Sequence, residues 1–175
     1  MFTNNARIIL VGFFLALGLF FSYQQVYELM AVSLLFIVLL IWGYFKEGTV
    51  IMAAKSFHKK DYVKSESLLL QITHPGWLSK KRRGFYEFIM GGIALQKQDY
   101  TNAEIHYELA AQYPLRTAND HVAALVHVAN INIRQGNYDK AEAYIQLANK
   151  NQQSITAKMK DVIAKLEKEL KQHKK

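Results

Sequence analysis

Lys60-Asp61-Tyr62, Gln98-Asp99-Tyr100 and Gly136-Asn137-Tyr138 are one mark written three times. The tyrosines are 38 residues apart in both intervals, 62 to 100 and 100 to 138. A fixed period of roughly 20 to 50 residues is the signature of a stacked repeat array. The flanks keep the same phase. Three residues after each tyrosine stand Ser65, Ala103 and Ala141; four further on, Leu69, Tyr107 and Ile145; three beyond those, Ile72, Ala110 and Ala148. Nine before each tyrosine stand Ala53, Gly91 and Ala129. Small residues at fixed slots let two helices cross closely, and the bulky ones between them fill the gaps. Each unit therefore reads as helix, tight turn, helix.

The pattern resembles the tetratricopeptide repeat (TPR) family, whose units carry Trp, Leu-Gly, Tyr, then Ala, Phe and a closing Pro. The second unit matches best, with Met90-Gly91, Ala103, Tyr107, Ala110 and Pro114. The third has Val128-Ala129, Ala141, Ile145 and Ala148; the first is degenerate, with Met52-Ala53, Ser65, Leu69, Ile72 and Pro75. Thr49, Glu87 and Leu125 stand where the family has Trp, and Ser56, Ala94 and Asn132 where it has its first-helix Tyr. The period exceeds the family's by four residues, about one helical turn, and the excess lies between units.

The hydrophobic content of 51% is unevenly spread. Ile8 to Phe21 is an unbroken apolar run, and Leu29 to Phe45 is interrupted only by Ser33 and Gly43. A bilayer core of about 30 Å needs about 20 helical residues. With their flanks the runs predict transmembrane spans near 6–23 and 27–45, joined as an antiparallel hairpin by the polar link 22–28. Tyr23, Tyr27, Trp42 and Tyr44 fall at the headgroup level expected of interfacial aromatics. The Gly12/Ala16 spacing would allow a close helix contact.

The expected fold class is all-α. A two-helix transmembrane hairpin over 1–45 precedes a TPR-like α-solenoid over 46–153, in units 46–78, 79–116 and 117–153. A capping helix and basic tail follow over 154–175. Ser154 is expected to open that helix, with Ile155, Met159, Val162, Ile163, Leu166 and Leu170 on one stripe. A polar-backed end is what a solenoid requires. Before Phe45 the only charged residues are Arg7 and Glu28, so the net charge of +8 sits in the repeats and tail. Lysines after the second run, beginning at Lys46, put both termini on the cytoplasmic side of an integral, two-span protein of the bacterial inner membrane.

Trp77 followed by Lys80, Lys81, Arg82 and Arg83 suggests a membrane-surface contact with anionic headgroups. The competing reading is a helix start, with Ser79 as N-cap and Trp77 as staple. Cations in a first helical turn oppose the helix dipole, so another interaction is expected to favour them. Nucleic acid is a disfavoured partner, because the cations do not line one recognition helix.

No catalytic, cofactor or metal site is expected. Cysteine is absent, which removes disulfides and thiolate ligands. The six histidines show no i, i+4 pair. No phosphate loop or nucleophile elbow occurs.

The expected function is a membrane-anchored TPR adaptor holding a protein or peptide partner. The alternative is a structural subunit of a larger membrane complex. The layout is also similar to the amino-terminal part of HemY-type proteins, which are linked to haem metabolism. In TPR arrays the first helix of each unit lines the inner face. The resemblance thus implies a partner surface of Val50, Ala54, Phe57 and His58 from unit one. Unit two contributes Phe85, Phe88, Gly92, Leu95 and Gln96, and unit three Val126, Asn130, Ile133 and Arg134. The slots of the family's carboxylate clamp hold Val50, Ala54, Ala123 and His127, so no such clamp is expected.

Overall fold

A computed structural model describes residues 4–47, 49–151 and 154–173, all helices and turns. The side chains of Asn4, Asn5, Arg7, Tyr44, Phe45, Lys46 and Glu47, the whole of residues 1–3, 48, 152 and 153, and the tail beyond His173 lie outside the described part. Two apolar helices, α1 (Asn4–Tyr23) and α2 (Tyr27–Glu47), form a hairpin. Three pairs follow: α3 (Val50–His58) with α4 (Tyr62–Leu70), α5 (Lys80–Gln96) with α6 (Tyr100–Gln112), and α7 (Ala118–Arg134) with α8 (Tyr138–Asn149). Helix α9 (Ala157–His173) closes the array. This all-α arrangement is consistent with a TPR-like solenoid.

The turn inside each pair explains the recurring mark. Lys60, Gln98 and Gly136 are left-handed, with φ of 62°, 62° and 79°. Each donates its N–H three residues back, to Phe57, Leu95 and Ile133. The next N–H reaches five back: Asp61 to Ser56 O at 3.0 Å, Asp99 to Ala94 O at 2.9 Å, Asn137 to Asn132 O at 2.8 Å. This is the Schellman closure, which satisfies the last carbonyls of a helix. The same Asp61 and Asp99 then cap the following helix, each accepting a backbone N–H at 3.1 Å. One residue ends the first helix and starts the second. Asn137 holds the equivalent place without a side-chain capping bond.

The periodic slots form the core. Ala53, Gly91 and Ala129 are buried, as are Ser65, Ala103 and Ala141, and Leu69, Tyr107 and Ile145. Ser65 donates to the carbonyl of Ala53 across the pair at 2.9 Å. Adjacent glycines on α5 serve two neighbours. A Cβ on Gly91 would meet the Tyr107 ring of α6 at 3.0 Å, and one on Gly92 the Phe57 ring of α3 at 2.4 Å. Side chains there would force the helices apart. Three of the six missing family aromatics are replaced by buried polar bonds. Thr49 donates to the carbonyl of Leu68, Glu87 is ion-paired, and Asn132 donates to Glu104 at 2.7 Å.

Helix α9 begins at Ala157, three residues after Ser154. Thr156 precedes it, its N–H held by Asn119 Oδ1 at 3.0 Å, while Ile155 is already in the core. Ile163, Leu166 and Leu170 complete that core with α7 and α8, and Met159 and Val162 pack against it.

The expectation of two transmembrane spans is overturned. Among the described residues no helix is long and apolar enough to cross a membrane. Helices α1 and α2 meet at a polar turn, and each carries polar residues at that end, Ser22 and Tyr23 in α1 and Tyr27 and Glu28 in α2. The expected spans, 6–23 and 27–45, reached their length only by counting the polar flanks of shorter apolar runs, 8–21 and 29–45. The inferred location, an integral two-span inner-membrane protein with cytoplasmic termini, is withdrawn with them. The hairpin closes through Gln25, at φ 58°, and packs by stacking Phe14 on Phe36 at 5.0 Å. A Cβ on Gly12 would meet nothing within 4 Å, so the Gly12/Ala16 spacing marks no close contact.

Candidate partner-binding surface

Helix α3 is short and amphipathic. Val50 and Ala53 enter the core, while Ile51, Lys55, His58 and Lys59 remain exposed. Its outer turns face the start of α5 across a cavity of about 690 Å³. The floor is Val50, Ile51, Ala54, Phe85 and Leu115. The rim is Lys55, His58, Lys59, Lys81, Arg82 and Arg116. Among the described residues no carboxylate lines this cavity.

Arg116 reaches the rim because the loop after α6 is seated on α5. A Cβ on Gly84 would meet Leu115 Cδ2 at 2.8 Å and Tyr113 Cβ at 3.0 Å. Only glycine admits the loop that closely.

A second cavity of about 350 Å³ lies between the ends of α5 and α7. Leu95, Gln96, Tyr100, His127, Asn130 and Arg134 contribute to it. Arg134 Nε donates to Asn130 Oδ1 at 3.0 Å, which fixes both side chains across one helical turn. Beneath them lies an aromatic stack. The Tyr107 ring lies on the His127 ring at 4.5 Å and 15°, and Phe88 meets Tyr107 edge-on at 5.5 Å. Burial pushes the His127 pKa down to about 4 and raises that of the Tyr107 phenol. His127 is therefore a neutral, packed ring at ordinary pH.

The residues assigned from the resemblance divide into three groups. His58 and Phe85 line the first cavity, and Leu95, Gln96, Asn130 and Arg134 the second. Phe57 lies between Gly92 and Tyr62, and Phe88 lies in the aromatic stack. Val126 and Ile133 are core, 8% and 4% exposed.

The basic turn divides as well. Trp77 stacks on His74 at 4.7 Å. Lys80 is exposed in the first turn of α5, and Ser79 occupies the N-cap without a capping bond. Lys81 and Arg82 line the first cavity. Arg83 turns inward and bonds Glu87 at 2.6 Å. The sequence reading did not include Lys55, Lys59 or Arg116. The lysines are four apart on one face of α3, a visible signal; Arg116 follows Pro114 in a loop and carries none.

A carboxylate network holds the second helices together. Lys140 bonds Glu104 at 2.5 Å and Glu108 at 2.8 Å, and Tyr144 donates to Glu108 at 2.9 Å. Burial pushes Glu104 up, but hydrogen bonds from Lys140 and Asn132 outweigh it and hold the carboxyl below its usual range. These groups are structural ties between α6, α7 and α8. Among the described residues no group of three or more His, Cys, Asp or Glu could hold a metal ion.

Residues 36–165 match the family model of the SusR N-terminal TPR domain. The chain belongs to this TPR family. The match begins inside α2 and ends inside α9, so the TPR domain takes in the second half of the hairpin's second helix and about the first half of the closing helix. TPR domains are typically non-catalytic protein-interaction modules, and a protein partner is thus the general expectation for this one. No curated protein and no solved structure matches the chain.

Proposed function

We propose that the chain is a protein-binding adaptor that takes its partner on the face formed by α3, α5 and α7. The observation that carries this is the placement of both cavities. Each opens between first helices of successive pairs, one at either end of α5, within the TPR domain. A groove with apolar floor and spaced polar groups suits a peptide segment, whose side chains fill pockets while its polar atoms meet the rim.

Photo-cross-linking tests the reading. A photoreactive side chain at His58, Gln96 or Arg134 in the full chain should capture a discrete protein partner. The same group on exposed second-helix positions, Lys64, Asn102 or Ala143, should not. Equal capture from both sets would refute the assignment of the face.

A further inference from the structure

We infer that the cavity between α3 and α5 selects an acidic peptide segment bearing apolar side chains between its carboxylates. This rests on the adaptor reading and names the chemistry of the partner. Three observations carry it. The first is the charge. Lys55, Lys59, Lys81 and Arg116 converge on one cavity from three separate segments of chain, and no carboxylate lines it among the described residues. Like charges held around a low-dielectric floor repel one another, and an anion between them removes that repulsion.

The second is local. Helix α5 has no acidic residue in its first turn and starts with four cations, where the exposed N–H groups are already positive. Helix α7 shows the ordinary solution, a capping box of Thr117 and Asp120. Within α5 Glu87 binds Arg83, while Lys80 and Lys81 are exposed at the start of the helix. An anion seated against Lys81 would lie close to that helix start and oppose its positive end.

The third is shape. The lining runs along α3 from Val50 to His58, about 12 Å, the length of about four extended residues. Ile51 and Phe85 line the same cavity as the cations and offer it apolar contact. That mixed lining fits a short peptide with a Leu or Phe between Asp or Glu residues. A bare polyanion such as duplex DNA would leave the apolar floor unused.

The experiment screens a random twelve-residue display library on the full chain, then measures the enriched peptides by fluorescence anisotropy. Enriched sequences should be acidic with an apolar centre. Lys55→Glu with Lys59→Glu, and separately Arg116→Glu, should weaken their binding by about tenfold or more. Lys158→Glu with Lys165→Glu on α9 should leave it unchanged. Added salt should weaken the wild-type complex and spare the residual binding of the charge-reversed variants. All four lysines and Arg116 are exposed, and circular dichroism and melting check that the variants fold.

Enrichment of neutral or basic peptides would overturn the acidic assignment and leave the adaptor reading standing. So would acidic peptides insensitive to the reversals at 55, 59 and 116 but lost with Arg134→Glu in the second cavity. No enrichment at all would overturn both. Tighter binding to duplex DNA or to phosphatidylglycerol vesicles, lost in the same variants, would assign the cavity to another polyanion and refute the peptide.

Discussion

Glu87 and Leu125 occupy the same slot, 38 residues apart, in the second and third helix pairs. Both are buried, at 1% and 4% exposure. The chain solves the slot in opposite ways. In the second pair Glu87 bridges Arg83 and His106, each at 2.6 Å, and the His106 contact ties α5 to α6. In the third pair Leu125 lies in an apolar core with Val122, Ala129 and Ile145. The positions equivalent to Arg83 and His106 are His121 and Tyr144, which make no such bridge to residue 125. The solenoid needs the slot filled and satisfied, and the chemistry that does so is free to vary. A buried ion pair holds as well as a leucine only while all its members are present.

Exchanging slots breaks this comparison most sharply. Leu125→Glu places a carboxylate in the core without the Arg83 equivalent. It should cost about 4 kcal/mol of unfolding free energy, read from the urea midpoint at constant m value. The reverse exchange, Glu87→Leu, leaves Arg83 and His106 without their acceptor and should cost about 2–3 kcal/mol. Adding Arg83→Met and His106→Leu to it should return stability to within about 1 kcal/mol of wild type, since a matched apolar trio replaces a matched polar one. If the triple variant is no better than the single, the slot demands charge and the comparison fails.

A second shared slot gives a pH test. His127 stands where the second pair has the buried Ile89. Burial holds the folded-state pKa of His127 near 4, below the ordinary value of about 6.5. Below about pH 6.5 the unfolded chain therefore binds a proton that the folded chain does not. Stability should fall as pH drops from about 6.5 towards 4, by at most about 1.4 kcal/mol per unit from this group. His127→Ile, copied from the second pair, should remove that part of the slope. An unchanged slope across pH 4 to 6.5 would show that His127 is protonated in the fold.

The smallest expected effect is at the turns. Gln98 adopts the left-handed conformation that Gly136 adopts freely. Gln98→Gly should raise stability by about 1 kcal/mol, the approximate cost of that conformation for a residue with a side chain, reduced by glycine's extra freedom when unfolded. The rise should appear as a higher melting temperature.

The slots that answer to these exchanges were legible because helix pairs repeat in register. The 38-residue interval alone placed Ala53, Gly91 and Ala129 at crossings, and the mark before each tyrosine placed the turns. The charge bridge was not legible. Glu87 looked only like a departure from the family pattern, and its partner His106 lies on another helix. The cationic cavity was hidden for a similar reason. Lys55, Lys81 and Arg116 come together only through the seating of Leu115 on Gly84, which no local pattern announces. The apolar hairpin was misread through length. A run that spans a bilayer only with its flanks counted is a weaker signal than its composition suggests, and no described helix is long and apolar enough to cross.

The double use of Asp61 and Asp99 has a mechanical consequence. Within a pair, one residue locks both helix ends, so the turn resists bending from either side. The joint between α4 and α5 is built differently. It spans residues 71–79 through a single short turn, Pro75–Trp77, and meets α5 at an N-cap that makes no side-chain bond. Under tension or torsion the array should yield there first, with the pairs moving as stiff links. The cationic cavity straddles that compliant joint, with α3 on one side and α5 and Arg116 on the other. A segment seated in it would act as a brace, converting a jointed chain of helices into a beam of fixed curvature.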